Sequence, residues 1–229
     1  MKSLALFDLD GTLMDTPQAI VDTFTASLAS VGVHGVAAEA IRATIGRPLG
    51  EAFEHLIGED GGAGAAATAV ERYLELYRER IVPQAERLLY PGVVEGLASL
   101  RSQGVILAVV TSKFTASAEA LLIAGGVRDR FAMVVGADAV AQPKPHPEAG
   151  LLVTAKLGFQ PGETVMVGDT THDILMAHNA GMDSVAVTYG IHPPAVLDTA
   201  APTWTASSFP AAVEHILAAE PAVGTAAHG

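Results

Sequence analysis

Five short segments of the chain are almost continuously apolar, and segments with a helical pattern separate them. Near-continuous apolar runs of this length are typical of strands buried on both faces of a parallel sheet. The predicted strands are residues 4–9, 105–111, 131–135, 164–168 and 184–188. The predicted helices are residues 93–103, 115–124, 147–157, 171–180 and 209–219. This alternation predicts an α/β fold with a doubly wound, Rossmann-like parallel sheet of five or so strands.

One interval, between the first and second predicted strands, breaks the alternation. It carries helical patterns at residues 17–30, 37–44, 49–57 and 65–80 and is far longer than a crossover connection needs. We therefore predict a small all-helical cap at residues 16–83, inserted into an α/β core formed by residues 1–15 and 84–229. The Gly- and Ala-rich residues 61–69 are expected to form a flexible loop, and residues 221–229 a frayed tail.

The composition supports this picture and excludes several classes of protein. The chain has 229 residues, of which 50% are apolar and 17% charged, so it can bury a substantial core. Its formal net charge of −12 argues against binding to nucleic acid or to an anionic membrane, because both need clustered Lys and Arg. There is no Cys, which excludes disulfides and thiolate chemistry.

The N-terminal apolar run is shorter than the core of a signal peptide, and no uncharged run reaches the length of a membrane span. We therefore expect a cytoplasmic protein, a monomer or homodimer, whose partner is a small molecule rather than a nucleic acid or a membrane.

Polar residues collect where the predicted strands end, which is where ligands bind in open parallel sheets. They are Asp8 and Asp10 after the first strand, Thr111, Ser112 and Lys113 at the end of the second, Asp169 and Asp173 after the fourth, and Lys144 in a loop between Pro143 and Pro145. Strand residues two apart point to the same side, so Asp8 and Asp10 are expected to face one space.

Up to four carboxylates around one spot would repel one another strongly. A single lysine cannot balance them, whereas a divalent cation can, and an all-oxygen ligand set favours Mg²⁺. The remaining groups suit a phosphoryl group, because Thr111 offers a hydroxyl at a helix start and Lys144 supplies a point charge.

Together, four motifs resemble those of the haloacid dehalogenase-like hydrolase superfamily. They are "DLDGT" (residues 8–12), a strand that ends in Thr111, "PKPHP" (residues 143–147) and "GDTTHD" (residues 168–173), in this order along the chain. The helical insert after the first motif is similar to the α-helical cap of one subgroup of that superfamily.

The resemblance implies roles for these residues. Asp8 would be the nucleophile that forms an aspartyl-phosphate, and Asp10 the general acid and then the general base. Thr111 and Lys144 would hold the phosphoryl oxygens. Mg²⁺ would be bound by Asp8, Asp169 and the backbone carbonyl of Asp10, with Asp173 as an inner- or outer-shell partner.

The presence of Asp10 favours phosphate-ester chemistry, because members of the superfamily that cleave carbon–halogen or phosphonate bonds lack this second Asp. Sugar-phosphate mutases resemble one another in a His on the first cap helix, and residues 15–22 contain none. A stretch at residues 45–53, "IGRPLGEAF", resembles the cap loop of phosphoglycolate phosphatases. We therefore expect a phosphatase of a small phosphorylated metabolite, with a phosphatase of nucleotides or pyrophosphate, a phosphomutase and a non-catalytic binding protein as alternatives.

Three further residues are candidates for contacts with the substrate. Arg47 in the cap loop either binds a substrate carboxylate or phosphate, or is a solvated surface residue. Lys113 resembles a family lysine that faces the cap, and its alternative is a surface residue at a helix start. Ser112 stands where the relatives more usually have Asn.

Overall fold

The computed structural model describes residues 1–58, 62 and 64–219, and this part of the chain forms a six-stranded parallel sheet with helices on both faces. The strands are β1 (Leu4–Phe7), β2 (Ile106–Val110), β3 (Met133–Val135), β4 (Thr164–Gly168), β5 (Asp183–Val187) and β6 (Trp204–Ala206). Their order across the sheet is β3-β2-β1-β4-β5-β6, so the predicted α/β doubly wound sheet is confirmed.

The helices fall into two groups. Those between β1 and β2 are α1 (Pro17–Ser30), α2 (Ala38–Arg42), α3 (Leu49–Ile57), α4 (Ala65–Arg80), α5 (Ala85–Leu88) and α6 (Val93–Ser102). The later helices are α7 (Thr115–Ala124), α8 (Glu148–Leu157), α9 (Thr171–Ala180), α10 (Pro194–Leu197) and α11 (Phe209–Ala218).

The register of the central strands brings their carboxyl ends level. Phe7 at the end of β1 lies opposite Val109 on β2 and Val167 on β4. Strands β2, β1 and β4 are therefore side by side, and the residues that follow them meet at one edge of the sheet.

Alternate residues of the apolar strands point into two cores, one on each face of the sheet. Phe7 packs on one face against α6, α7 and α11, and its ring centroid lies 5.7 Å from that of Phe209. Leu6 packs on the other face against α8 and α9, beside Val153 and Met176. The burial of both faces explains why the strands read as continuous apolar runs.

Helices α1, α3 and α4 pack on one another through aromatic side chains. Phe24 stacks on Phe53 with ring centroids 4.5 Å apart, and it lies 4.9 Å from the ring of Tyr73. This aromatic cluster belongs to the same continuous core as the sheet face that carries Phe7.

The structure departs from the sequence prediction in a few places. Strand β6 was not predicted, because a three-residue edge strand is too short to carry a pattern. Residues 65–69 of the predicted loop are helical, since helix α4 begins at Ala65 and alanine has the highest helix propensity. Residues 59–61, 63 and the predicted tail at 221–229 lie outside the described residues. No helix in the described part of the chain is long and apolar enough to cross a bilayer.

Candidate active site

Asp8 lies at the sheet edge, directly after the end of β1. The strand ends at Phe7, but the backbone N–H of Asp8 still donates to the Val167 carbonyl at 2.9 Å. Gly11 then turns the chain with a positive φ of 81°, and its N–H donates to the carbonyl of Met14 at 2.8 Å. Asp8 is therefore fixed by the sheet on one side and by a tight turn on the other.

Three buried carboxylates converge beyond the ends of β1 and β4. Asp8, Asp169 and Asp173 each offer one oxygen, and these oxygens lie within 4.8 Å of one another. Asp8 is 5% exposed, and Asp169 and Asp173 are fully buried. The structure thus brings together three of the four carboxylates singled out from the sequence.

Hydrogen bonds hold two of these carboxylates in place. Asp169 accepts from the Thr12 hydroxyl and from the backbone N–H of Ile191, both at 2.8 Å. Asp173, in the first turn of α9, accepts from the backbone N–H and the hydroxyl of Thr170 at 3.0 and 2.7 Å. Each carboxylate is oriented by groups of the core rather than by solvent.

Lys144 reaches the same cluster from its loop. Its Nζ donates to Asp173 Oδ1 at 2.6 Å, to Asp8 Oδ1 at 3.0 Å and to the Val110 carbonyl at 3.2 Å. Although burial by itself would lower the pKa of Lys144, the carboxylates of Asp173 and Asp8 raise it above its usual value. Lys144 is therefore a permanent cation at this position.

One cation does not neutralise three buried carboxylates. Burial, and after it repulsion from Asp173 and Asp10, raises the pKa of Asp8 to about 6 despite the attraction of Lys144. Burial, followed by the negative charges of Asp8 and Asp173, holds the pKa of Asp169 well above its ordinary value. The protein alone thus leaves negative charge in this site incompletely balanced.

The side chain of Asp10 belongs to a neighbouring group of contacts. Its Oδ2 lies 2.8 Å from Lys113 Nζ, and its Oδ1 accepts from the Thr16 hydroxyl at 2.6 Å. The Lys113 side chain is 10% exposed, and its ammonium also lies 4.5 Å from the centroid of the Tyr77 ring on α4. Although burial opposes it, the charge of Asp10 raises the pKa of Lys113 above its usual value. Lys113 therefore faces the helices between β1 and β2 rather than solvent.

The remaining candidate residues, Thr111, Ser112 and Arg47, lie around the pair formed by Asp10 and Lys113. Thr111 is buried, and its Oγ1 accepts from the backbone N–H of Lys113 at 3.3 Å. The Ser112 hydroxyl donates to the Gly46 carbonyl at 2.6 Å, which ties the end of β2 to the loop before α3. Arg47, next to Gly46, is exposed and lines a cavity that also contacts Asp10.

Sequence reasoning did not identify the residues that orient the carboxylates. Thr12 and Thr170 stand inside the quoted motifs and within two residues of a candidate Asp, so the sequence could have indicated that they contact a carboxylate. Thr16 and Tyr77 lie outside any motif, and their contacts with Asp10 and Lys113 depend on how the helices pack on the sheet.

The close approach of Gly11 to Asp169 leads to a stability prediction. A Cβ on Gly11 would lie 2.1 Å from Asp169 Oδ2, whereas a Cβ on Gly32 would meet nothing within 4 Å, and both residues have a φ of 81°. Gly32→Ala should therefore show only the cost of a left-handed backbone, about 1–2 kcal/mol. Gly11→Ala should lose a further ~1–3 kcal/mol of unfolding free energy, because the overlap displaces Asp169. Equal losses for the two variants in urea unfolding would show that the space beside Asp169 is not tight.

Comparison with known proteins gives a consistent set of matches. The sequence model of the family described as haloacid dehalogenase-like hydrolase matches residues 5–187. The chain is 50% identical over 209 residues to a "probable phosphatase IndB" of Dickeya dadantii, covering 91% of each chain. It is 31% identical over 217 residues to a phosphoglycolate phosphatase of Neisseria meningitidis, covering 92% of each chain.

A solved structure agrees with these sequence matches. The crystal structure of a predicted phosphoglycolate phosphatase from Haemophilus somnus superposes with a TM-score of 0.83 and 27% identity. The match covers 93% of this chain and 97% of that one, so it includes the helices between β1 and β2 as well as the sheet.

Proposed function

The chain belongs to the haloacid dehalogenase-like hydrolase family, and from that premise we propose that it is a Mg²⁺-dependent phosphatase of a small phosphomonoester, acting through an aspartyl-phosphate on Asp8. The observation that carries the proposal is the convergence of Asp8, Asp169 and Asp173 with Lys144 beyond the strand ends. That arrangement combines a nucleophile, a cation site and a fixed positive charge within one buried space.

The donor set fits Mg²⁺. Three carboxylates supply hard oxygen ligands, and the raised pKa values of Asp8 and Asp169 reflect the burial and crowding of their charges, which a divalent cation would relieve. We assign Asp8, Asp169 and the Asp10 backbone carbonyl as ligands, with Asp173 as an inner- or outer-shell partner. When bound, Mg²⁺ supplies positive charge that polarises the phosphoryl group and offsets the charge that develops on it.

In the first step, an Asp8 carboxylate oxygen attacks phosphorus. The new bond joins Asp8 to the phosphoryl group, and the bond between phosphorus and the ester oxygen breaks. Asp10 donates its proton to the departing oxygen, so that a neutral alcohol leaves. Lys144, 3.0 Å from Asp8, and the Thr111 hydroxyl hold the phosphoryl oxygens in this step.

In the second step, Asp10 acts as the base. It takes a proton from water, the water oxygen attacks phosphorus, and the bond to Asp8 breaks. Inorganic phosphate leaves, and both carboxylates return to their starting state. The hydrogen bond from Thr16 holds the Asp10 side chain for both transfers, and Lys113 pairs with its ionised form between them.

We further propose that residues 16–83 act as a cap over a core of residues 1–15 and 84–229, and that Ser112, Lys113 and Arg47 take part in substrate binding. The contacts that support this are those between Ser112 and Gly46 and between Lys113 and Tyr77, because they join the strand edge to the inserted helices. The leaving group would then lie between the inserted helices and Asp10.

The activity can be tested by phosphate release from a panel of phosphoglycolate, sugar phosphates, nucleotides and pyrophosphate, with Mg²⁺ and with excess EDTA. We expect release from at least one monoester with Mg²⁺, a fall of at least about 10³-fold with EDTA, and recovery when Mg²⁺ is restored. Undiminished release in EDTA would contradict the Mg²⁺ assignment. Release from none of the compounds would contradict the proposed activity.

A further inference from the structure

The loop that follows β5, residues 188–193, packs directly against Asp169. The backbone N–H of Ile191 donates to Asp169 Oδ2 at 2.8 Å, and that of His192 donates to the Asp169 carbonyl at 3.3 Å. A Cβ on Gly190 would lie 2.4 Å from Asp169 Oδ2, so the backbone of the loop passes close to the carboxylate. Three consecutive residues of this loop therefore form one wall around the Asp169 side chain.

The Asp169 carboxylate is held between this loop and the turn after β1. Its Oδ1 accepts from the Thr12 hydroxyl and its Oδ2 from the Ile191 N–H, both at 2.8 Å. One donor on each oxygen fixes the rotation of the carboxylate and leaves a second lone pair on each oxygen for a cation. The orientation of Asp169 therefore depends on how the turn and the loop sit relative to each other.

Tyr189 joins the turn to the loop. Its hydroxyl donates to the Thr12 carbonyl at 2.8 Å, and it stands two residues before Ile191. Three hydrogen bonds thus close a ring through Asp169, Thr12, Tyr189 and Ile191. Thr12 and Asp169 are fully buried, so water does not readily replace a partner that either of them loses.

We propose that Tyr189 is a positioning residue for the metal site. By holding the Thr12 carbonyl, it keeps the Thr12 hydroxyl on Asp169 and so raises the affinity of the site for Mg²⁺. Groups that orient a metal-binding carboxylate commonly change metal affinity when they are lost. This inference rests on the proposed assignment of Asp169 as a Mg²⁺ ligand, and Tyr189 itself is not a ligand.

Tyr189→Phe keeps the ring and removes only the hydroxyl. We expect the dissociation constant for Mg²⁺, measured by calorimetry without substrate, to rise about 3- to 10-fold, the loss expected for one hydrogen bond. In phosphate-release assays, the Mg²⁺ concentration that gives half the maximal rate should rise by the same factor. Raised Mg²⁺ should restore most of the lost rate, since every ligand is still present.

Tyr90→Phe is the matched control. The rings of Tyr90 and Tyr189 have centroids 4.6 Å apart, but the Tyr90 hydroxyl donates to the exposed Asp15 at 3.2 Å. The control therefore removes the same group from the same aromatic pair without changing a contact of Thr12, and Mg²⁺ affinity should change by less than about 2-fold. Equal weakening in both variants would assign the effect to the packing of the rings and overturn the proposal.

Thr12→Val tests the route of the effect. It removes the hydroxyl from Asp169 with little change in shape, and we expect Mg²⁺ binding to weaken by roughly 10- to 100-fold. Because Tyr189 acts through this hydroxyl, adding Tyr189→Phe to Thr12→Val should weaken binding by no more than about 2-fold further. Losses that multiply in the double variant would show that Tyr189 acts by another route and would overturn the assignment.

The same measurements separate this proposal from the proposed metal dependence. Thermal midpoints in EDTA report the stability of each variant, and a merely structural role would lower the midpoint of Tyr189→Phe while leaving its Mg²⁺ affinity unchanged. If the wild type binds Mg²⁺ and Tyr189→Phe binds it equally well, only the positioning role fails. If the wild type binds no Mg²⁺ and releases phosphate without it, the metal assignment fails and the positioning role fails with it.

Discussion

Asp8→Asn is expected to reduce phosphate release by at least about 10⁴-fold, the largest effect of any single substitution in this protein. An amide oxygen is a poor nucleophile, so the covalent step would be lost while the shape of the site is kept. The measurement is kcat with saturating Mg²⁺ and the best ester of the panel.

The variant should remain folded, which separates lost chemistry from lost structure. Asp8 is buried, and its raised pKa shows that its ionised form is disfavoured in the folded protein, so a neutral Asn removes repulsion. Lys144 keeps its contact with Asp173 at 2.6 Å. The thermal midpoint of Asp8→Asn should therefore equal or exceed that of the wild type. Asp22→Asn, an exposed change on α1, serves as the matched control with full activity. More than a few per cent of wild-type activity in Asp8→Asn would contradict the assigned nucleophile.

Asp10→Asn is expected to lower kcat by about 10²–10⁴-fold for an alkyl phosphate, because the departing alkoxide would receive no proton. The Asn oxygen can still accept from the Thr16 hydroxyl, so the side chain should keep its place. With p-nitrophenyl phosphate the first step should be nearly normal, since nitrophenolate leaves without protonation. Hydrolysis of the phosphorylated enzyme should still be slow, because the base is missing.

The kinetics of Asp10→Asn should therefore depend on the leaving group. We expect a burst of one nitrophenolate per enzyme followed by slow turnover, measured by stopped flow. Asp15→Asn, which changes an exposed carboxylate five residues away, should show neither effect. Equal losses for alkyl and nitrophenyl esters, without a burst, would contradict the acid and base roles of Asp10.

The elements that the sequence predicts best are those in which local pattern and tertiary environment agree. Strand β4 and helices α1, α3, α4, α7 and α9 begin and end at the predicted residues. Their ends are marked by a change from apolar to polar residues or by Gly and Pro. β6 was not predicted, because it is a strand through its pairing with β5 and not through any pattern in its own three residues.

In the candidate site too, some contacts follow from local sequence pattern and others depend on tertiary packing. Asp8, Asp169 and Asp173 could be placed together because level strand ends are a property of parallel sheets. The alternation of side chains along a strand predicted that Asp10 faces the same space as Asp8. That alternation does not extend to Asp10, because β1 ends at Phe7 and the turn at Gly11 follows. The pairing of Asp10 with Lys113 depends on the helices that pack over the sheet edge, which no local pattern encodes.

The central claim is a covalent phosphoryl-enzyme on Asp8, and one measurement tests it most directly. Asp10→Asn is mixed with p-nitrophenyl phosphate and Mg²⁺, quenched in acid within the burst, and analysed by peptide mass spectrometry. The account predicts a mass increase of one phosphoryl group on the peptide that contains Asp8, lost on treatment with hydroxylamine. A burst without that increase, or with the phosphoryl group on another residue, would contradict it.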